Sequence, residues 1–75
     1  MRFKLIEVGR GKFTGVVEAK SLDALPRVIK RAAKLMSKDI DIRWDDPGET
    51  RGRIVVGGWR TVGGIVALDS ETIQL

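Results

Sequence analysis

The first twenty residues alternate hydrophobic and polar side chains with the period of two that is typical of strands. Residues 2–8 are rich in β-forming side chains, and their alternation slips between Leu5 and Ile6, which indicates a strand with a β-bulge or with two buried faces. The glycines of the 9–11 segment predict a tight three-residue turn. Residues 12–19 then alternate cleanly, with Phe13, Gly15, Val17 and Ala19 on one face. The pattern therefore predicts a β-hairpin.

From Ser21 onward the hydrophobic period changes to about 3.6, the period of a helix. Proline is tolerated in the first turn of a helix, where the missing N–H has no intrahelical partner, so Pro26 helps to locate the start. We predict a loose first turn from Ser21 and a regular helix from Asp23 or Ala24 to about Ser37. The predicted core-facing stripe consists of Leu22, Leu25, Ile29, Ala32, Ala33 and Met36, with Val28 and Leu35 at its margin.

A second region of period two follows the helix. Ile40, Ile42 and Trp44 alternate with charged residues, which predicts a half-buried strand with Trp44 in the core beneath the helix. Proline and glycine at 47–48 occupy the two central positions of a type II turn. The strand predicted at 51–60 should therefore return antiparallel to its predecessor.

Residues 55–66 form a near-palindrome with a glycine pair on each side of Arg60-Thr61. A two-residue turn at Arg60-Thr61 would set Gly57 opposite Gly64 and Gly58 opposite Gly63. Residues 62–68 are predicted to form the third strand of this meander, and residues 72–75 either a short edge strand or a tail. The complete order is ββαβββ, an α+β fold in which one amphipathic helix packs on one face of a single antiparallel sheet, in a single small domain spanning residues 1–75.

Composition narrows the possible functions. The chain has 75 residues, no cysteine and no histidine, which removes disulfides, Cys/His zinc sites, catalytic triads and most acid–base catalysis. The first eight residues are too short and too charged for a signal peptide or a membrane span. We expect a cytoplasmic protein of a prokaryotic cell that is not an enzyme, has no cofactor or metal ion, and does not engage a membrane.

The net charge of +4 is unevenly distributed along the chain. Residues 1–38 carry ten cations and three anions, residues 39–50 one cation and five anions, and residues 51–75 three cations and two anions. On the predicted helix, one side is basic throughout; it consists of Arg27, Lys30, Arg31, Lys34 and Lys38. This side is either a docking face for phosphates or an acidic protein, or a solvated face kept basic for solubility.

Trp59 and Arg60 form a second candidate binding site, because tryptophan and arginine are the residue types most enriched in interface hot spots. The alternative is that Trp59 covers the exposed backbone of Gly57 and Gly64. A third candidate is the acidic surface of Asp39, Asp41, Asp45, Asp46 and Glu49. Metal binding needs carboxylates that converge from different elements, so this surface is interpreted as a solvated strand, a decoy for a nucleic-acid site or a partner for basic residues.

Over residues 12–68, the strand KFTGVVEA, the helix SLDALPRVIKRAAKLM and the strands DIDIRWDD, GRIVVGGWR and TVGGIVAL resemble small anti-CRISPR proteins of phages and mobile elements in size and layout. The resemblance includes no shared motif, so it assigns no role to any residue. It implies an inhibitor that acts by stoichiometric binding to a protein partner within a nucleic-acid-processing complex, such as a Cas effector.

Two other hypotheses remain open. The first is a small nucleic-acid-binding module that uses the basic helix face, with Lys4, Arg10 and Lys12 as additions if they share its side. The scarcity of exposed aromatic residues and the acidic segment both speak against it. The second is an accessory subunit that forms a homodimer through an edge strand at 72–75.

Overall fold

One five-stranded antiparallel sheet and one helix form the fold in the computed structural model, which describes residues 1–68. The elements are β1 (Arg2–Val8), β2 (Phe13–Glu18), α1 (Leu25–Ala33), β3 (Ile40–Trp44), β4 (Arg51–Val56) and β5 (Arg60–Ala67). The strands lie in the order β2-β1-β5-β4-β3. The predicted α+β class, the order ββαβββ and the single sheet are confirmed, whereas the strand or tail predicted at 72–75 lies outside the described residues.

The hydrophobic core lies between α1 and one face of the sheet. Strand alternation directs one set of side chains toward the helix, and Leu25 and Ile29 of α1 meet them with no exposed surface. Each such side chain contributes about 1.5–3 kcal/mol through burial. The helix approaches both edge strands, β2 and β3, which precede and follow it in sequence. The buried cluster consists of Phe3, Leu5, Val8, Val17, Ala19, Leu25, Ile29, Ile54 and Ile65.

The irregularity predicted in β1 is confirmed. The register between β1 and β2 shifts between Leu5 and Val8, and Glu7 has a φ of 48°. The N–H of Glu7 donates to the hydroxyl of Thr14 at 3.0 Å. As a result Val8 turns inward and packs directly against the backbone of Gly63, where a Cβ atom would lie 2.6 Å from Cγ2 of Val8.

Two of the predicted turns are wrong in detail. The β1–β2 loop has four residues, 9–12, and its left-handed positions are Gly9 (φ 77°) and Lys12 (φ 49°) rather than both glycines. The β3–β4 connection is not a type II turn, because the left-handed residue is Glu49 (φ 56°) and not Gly48. The carboxylate of Asp46 accounts for this change, since it accepts the N–H groups of Thr50 and Arg51 at 3.1 and 3.2 Å.

The prediction for the glycine palindrome is also wrong. The β4–β5 turn is at 57–59, where Gly57 (φ 63°) and Gly58 (φ 83°) are both left-handed. Val56 pairs with Arg60, Ile54 pairs with Gly63, and Arg53 pairs with Gly64. The glycine pairs therefore do not face each other: the first pair forms the turn, and the second lies within β5, where it is approached by other backbone segments.

Helix α1 is shorter than predicted. It ends at Ala33, and Lys34 follows in the left-handed region (φ 55°, ψ 45°). Leu35 donates its N–H to the carbonyl of Lys30 at 3.0 Å and packs against Gly9, so a contact distant in sequence ends the helix. Met36 is 94% exposed and does not belong to the core. The loose first turn from Ser21 is confirmed, with Pro26 in the first helical turn.

Candidate functional site

The strand pairings place the connections of the fold at two opposite ends of the sheet. Loops 9–12 and 57–59 and the C-terminal end of α1 lie at one end, which we call the hairpin end. The β3–β4 connection, residues 45–50, lies at the opposite end, which we call the turn end. Segments that are far apart in sequence therefore meet at the hairpin end.

An open groove at the hairpin end brings together four cations from three segments. Arg10 and Lys12 come from the β1–β2 loop, Lys34 follows α1, and Arg60 begins β5. Glu7 is the one acidic residue of its lining. The apolar part of the lining includes Leu35, Met36, Val56 and Val62. We call this groove the basic cleft.

Two large hydrophobic side chains are exposed beside these cations. Met36 lines the basic cleft, and Trp59, which precedes Arg60, is 81% exposed. No atom of Trp59 lies within 4 Å of the position that a Cβ atom would take at Gly64. Its Nε1 does lie 4.0 Å from the corresponding position at Gly57. Trp59 therefore borders Gly57 but does not cover Gly64, as the alternative interpretation proposed, and most of the residue is exposed to solvent.

Two hydrogen bonds hold the loop that carries Trp59, one with Asp39, which precedes β3, and one with Arg43 of β3. The N–H of Gly57 donates to the carbonyl of Asp39 at 3.0 Å. Arg43 reaches the same loop, and its Nη2 donates to the carbonyl of Gly58 at 2.7 Å. Because two adjacent glycines would otherwise leave the loop free to reorient, these contacts fix the position from which Trp59 projects.

The basic helix face predicted from the sequence is divided in the structure. Arg27, Lys30 and Arg31 lie on α1, and Lys30 is half-buried. Lys34 lies just beyond the helix and contributes to the basic cleft, whereas Lys38 lies in the segment before β3. Sequence periodicity alone did not group Arg10 and Lys12 with Lys34 and Arg60, because three separate chain reversals bring them together.

The predicted acidic surface is likewise divided. Asp45, Asp46 and Glu49 lie at the turn end, while Asp39 lies near the hairpin end. Asp46 is structural: its carboxylate accepts the Thr50 hydroxyl at 2.7 Å, and this bond, together with the bonds from backbone N–H groups, lowers the pKa of Asp46 from its ordinary value of 3.8. Asp45 lies 3.6 Å from Nε of Arg53. Asp41 accepts the N–H of Ile42 at 2.9 Å.

Within residues 1–68 no three His, Cys, Asp or Glu side chains are grouped closely enough to hold a metal ion. The same residues include no helix that is long and apolar enough to cross a membrane. Comparisons with protein-family models, curated proteins and solved structures find no match to this chain.

Proposed function

We propose that this protein acts by binding, without chemistry of its own, and that the basic cleft together with Trp59 docks on an acidic surface of a protein partner. The observation that carries the proposal is the convergence at the hairpin end of four cations from three segments with two exposed hydrophobic side chains. Arginine, tryptophan and methionine are enriched at protein interfaces relative to the rest of the surface.

The mixture of side chains favours a protein partner at this site over a nucleic acid. Phosphates would use the cations of the basic cleft but not Met36, Leu35 or Val62. Bases would require stacking platforms, and Trp59 is the single exposed aromatic side chain among residues 1–68. An acidic protein surface with an apolar pocket uses both kinds of group, and its charge also steers association with the basic cleft.

The proposed partner is a nucleic-acid-processing complex such as a Cas effector, and the proposed action is stoichiometric inhibition. This finer assignment rests on the resemblance in size and element order to small anti-CRISPR proteins. The confirmed ββαβββ order is consistent with it.

The test compares three variants as affinity baits in prokaryotic lysates and then with the purified partner. Trp59→Ala removes the exposed ring, and R10E/R60E reverses two charges of the basic cleft. R27E/R31E makes the same change of net charge, from +4 to 0, on α1 instead. We expect a partner that binds the parent and R27E/R31E at 1:1 and binds Trp59→Ala about 30-fold more weakly, as expected for a hot-spot residue worth about 2 kcal/mol.

A partner that binds all four proteins equally would show that the basic cleft is not the docking site. Loss of binding in R27E/R31E with retention in R10E/R60E would assign docking to α1 instead. Thermal unfolding of each bait confirms that a lost interaction does not result from a lost fold. Trp59 contributes little packing, since 81% of it is exposed.

A further inference from the structure

The outer face of the sheet, opposite α1, carries no helix within the described part of the chain and has a second group of cations. They come from three strands: Lys4 from β1, Arg51 and Arg53 from β4, and Arg43 from β3. All four side chains are exposed. Arg43 uses Nη2 to hold the carbonyl of Gly58, and its remaining N–H donors and its charge face this side of the sheet without another partner within residues 1–68. These residues have no common role that is visible in the sequence, because period-two alternation on separate strands does not show which strands become neighbours.

The strand register arranges these cations in two adjacent rows across the face. Lys4 pairs with Val66, which pairs with Arg51, so the two cations flank a valine. In the next row Gly64 pairs with Arg53, which pairs with Arg43. With strands about 4.8 Å apart and alternate residues about 6.7 Å apart along a strand, the four Cα atoms lie within about 16 Å of one another. We call the surface that they form the outer-face patch.

None of the residues that pair within these two rows is anionic. Asp41 lies in another row, opposite Val55, and its carboxylate is held by the N–H of Ile42. Glu18 lies opposite Arg2 on the edge strand. Asp45 approaches Arg53, but both side chains are about half exposed, and such a pair contributes at most about 1 kcal/mol. Within residues 1–68, no ion pair engages Lys4 or Arg51.

The remaining side chains of the outer-face patch are small or aliphatic. Val66 lies between Lys4 and Arg51, and Ile6 lies across Gly64 from Arg53. Val16, which is 57% exposed, borders Lys4 on β2. The two rows that carry the cations offer positive charge and aliphatic surface, without an aromatic side chain for base-specific stacking. Such a surface favours contact with a sugar–phosphate backbone, whose affinity comes from charge neutralisation and not from sequence.

We propose that the outer-face patch binds the backbone of single-stranded nucleic acid without sequence preference. The exposed arginines favour a single strand over a duplex, because only unpaired bases present their faces to a guanidinium plane while the backbone contacts the cations. The three arginines can also stack on bases through their guanidinium planes. The outer-face patch and the basic cleft lie on different surfaces, so this inference does not depend on the proposed protein-binding function.

The test is fluorescence anisotropy with a labelled 20-nucleotide oligo(dT) and with a labelled 20-base-pair duplex, from 50 to 200 mM salt. Four phosphate contacts predict a slope of log K against log salt of about −2.8 for the single strand. The variant K4A/R51A should reduce the slope to about −1.4. Its matched control, R27A/R31A on α1, removes the same charge and should leave the slope near −2.8.

Three outcomes would overturn the inference. They are absence of oligo(dT) binding at 50 mM salt, equal loss of affinity in K4A/R51A and R27A/R31A, and binding of the duplex as tight as that of the single strand. The variant R10A/R60A separates this inference from the proposed function. It should keep the slope near −2.8. A slope as shallow as that of K4A/R51A would show that nucleic acid binds the basic cleft instead. Circular dichroism of each variant verifies the fold.

Discussion

The contact between Val8 and Gly63 offers a direct test of the packing at the centre of the sheet. A Cβ atom at Gly63 would lie 2.6 Å from Cγ2 and 2.8 Å from Cα of Val8. Because one of these atoms belongs to the backbone, a change of side-chain rotamer does not relieve the overlap. Gly63→Ala should therefore displace β1 from β5, and the same substitution at Gly11, where no atom lies within 4 Å, is the matched control.

The expected magnitude follows from two opposing effects. Overpacking of this kind costs about 1–3 kcal/mol, and replacing glycine by alanine recovers about 0.4–1 kcal/mol by restricting the unfolded chain. The net loss at Gly63 is about 1–2 kcal/mol. For a chain of 75 residues, an unfolding entropy of about 2.1 cal/mol/K per residue converts each kcal/mol into about 6 °C. Gly63→Ala should therefore lower Tm by about 6–12 °C.

The assay is thermal unfolding followed by circular dichroism, with urea unfolding as the second measure. Gly11→Ala should leave Tm unchanged or raise it by up to about 6 °C, since its φ lies outside the left-handed region. Equal Tm values for Gly63→Ala and Gly11→Ala would refute the close approach of Val8 to the β5 backbone. A fall in Tm for both variants would instead indicate a general intolerance of the fold to alanine.

Three further predictions concern single residues. Lys34→Gly should raise the free energy of unfolding by about 0.5–1 kcal/mol, because Lys34 is in the left-handed region at the end of α1; a urea midpoint at or below that of the parent would contradict this. Asp41→Ala exposes the edge N–H of Ile42 and should increase self-association in sedimentation velocity, whereas Asp41→Asn, which keeps an acceptor, should match the parent. The lowered pKa of Asp46 means that its carboxylate contributes stability above pH 3.8 that is lost as the pH falls through the folded-state pKa. The urea midpoint of the parent should therefore fall more steeply below about pH 5 than that of Asp46→Asn, and parallel curves would show that the hydrogen bonds of Asp46 do not contribute.

The strands were predictable because their side chains alternate locally. Ile40, Ile42 and Trp44 face the core as their spacing predicts, and the slip between Leu5 and Ile6 marks a real irregularity. Both signals depend only on neighbours in sequence. The ββαβββ order follows from them once the helical period between Ser21 and Ala33 is recognised.

The end of the helix was not predictable from its own periodicity. The apolar spacing continues through Met36, but Leu35 is drawn toward Gly9, and the chain leaves the helix at Lys34 to make that contact. In the same way, Asp46 overrides the turn type that Pro47 and Gly48 favour by accepting three hydrogen bonds from residues 50 and 51. Each difference arises from a side-chain interaction that competes with a local preference.

The candidate site was only partly predictable for a related reason. Trp59 and Arg60 stand out by residue type, and their exposure at a hairpin loop agrees with that interpretation. The grouping of Lys34 with Arg10 and Lys12 depends on the chain reversal between β2 and α1 and on the early end of α1. Charge counted along the sequence indicated that the molecule is polarised, but not which cations become neighbours.

The pairing of β1 with β5 joins two contiguous parts of the chain, the β1–β2 hairpin with α1 and the β3–β4–β5 meander. The first hairpin with α1 and the β3–β4–β5 meander each form mostly from neighbouring segments, while the contact of Phe3 with Ala67 closes almost the whole described chain. Closing so long a loop costs entropy before it gains contacts. We expect this ladder to form late in folding. Cleavage in the 34–39 segment should yield two fragments, one with β1, β2 and α1 and one with β3, β4 and β5. We expect them to reassemble through the β1–β5 ladder and the packing of α1, which would suit a split reporter.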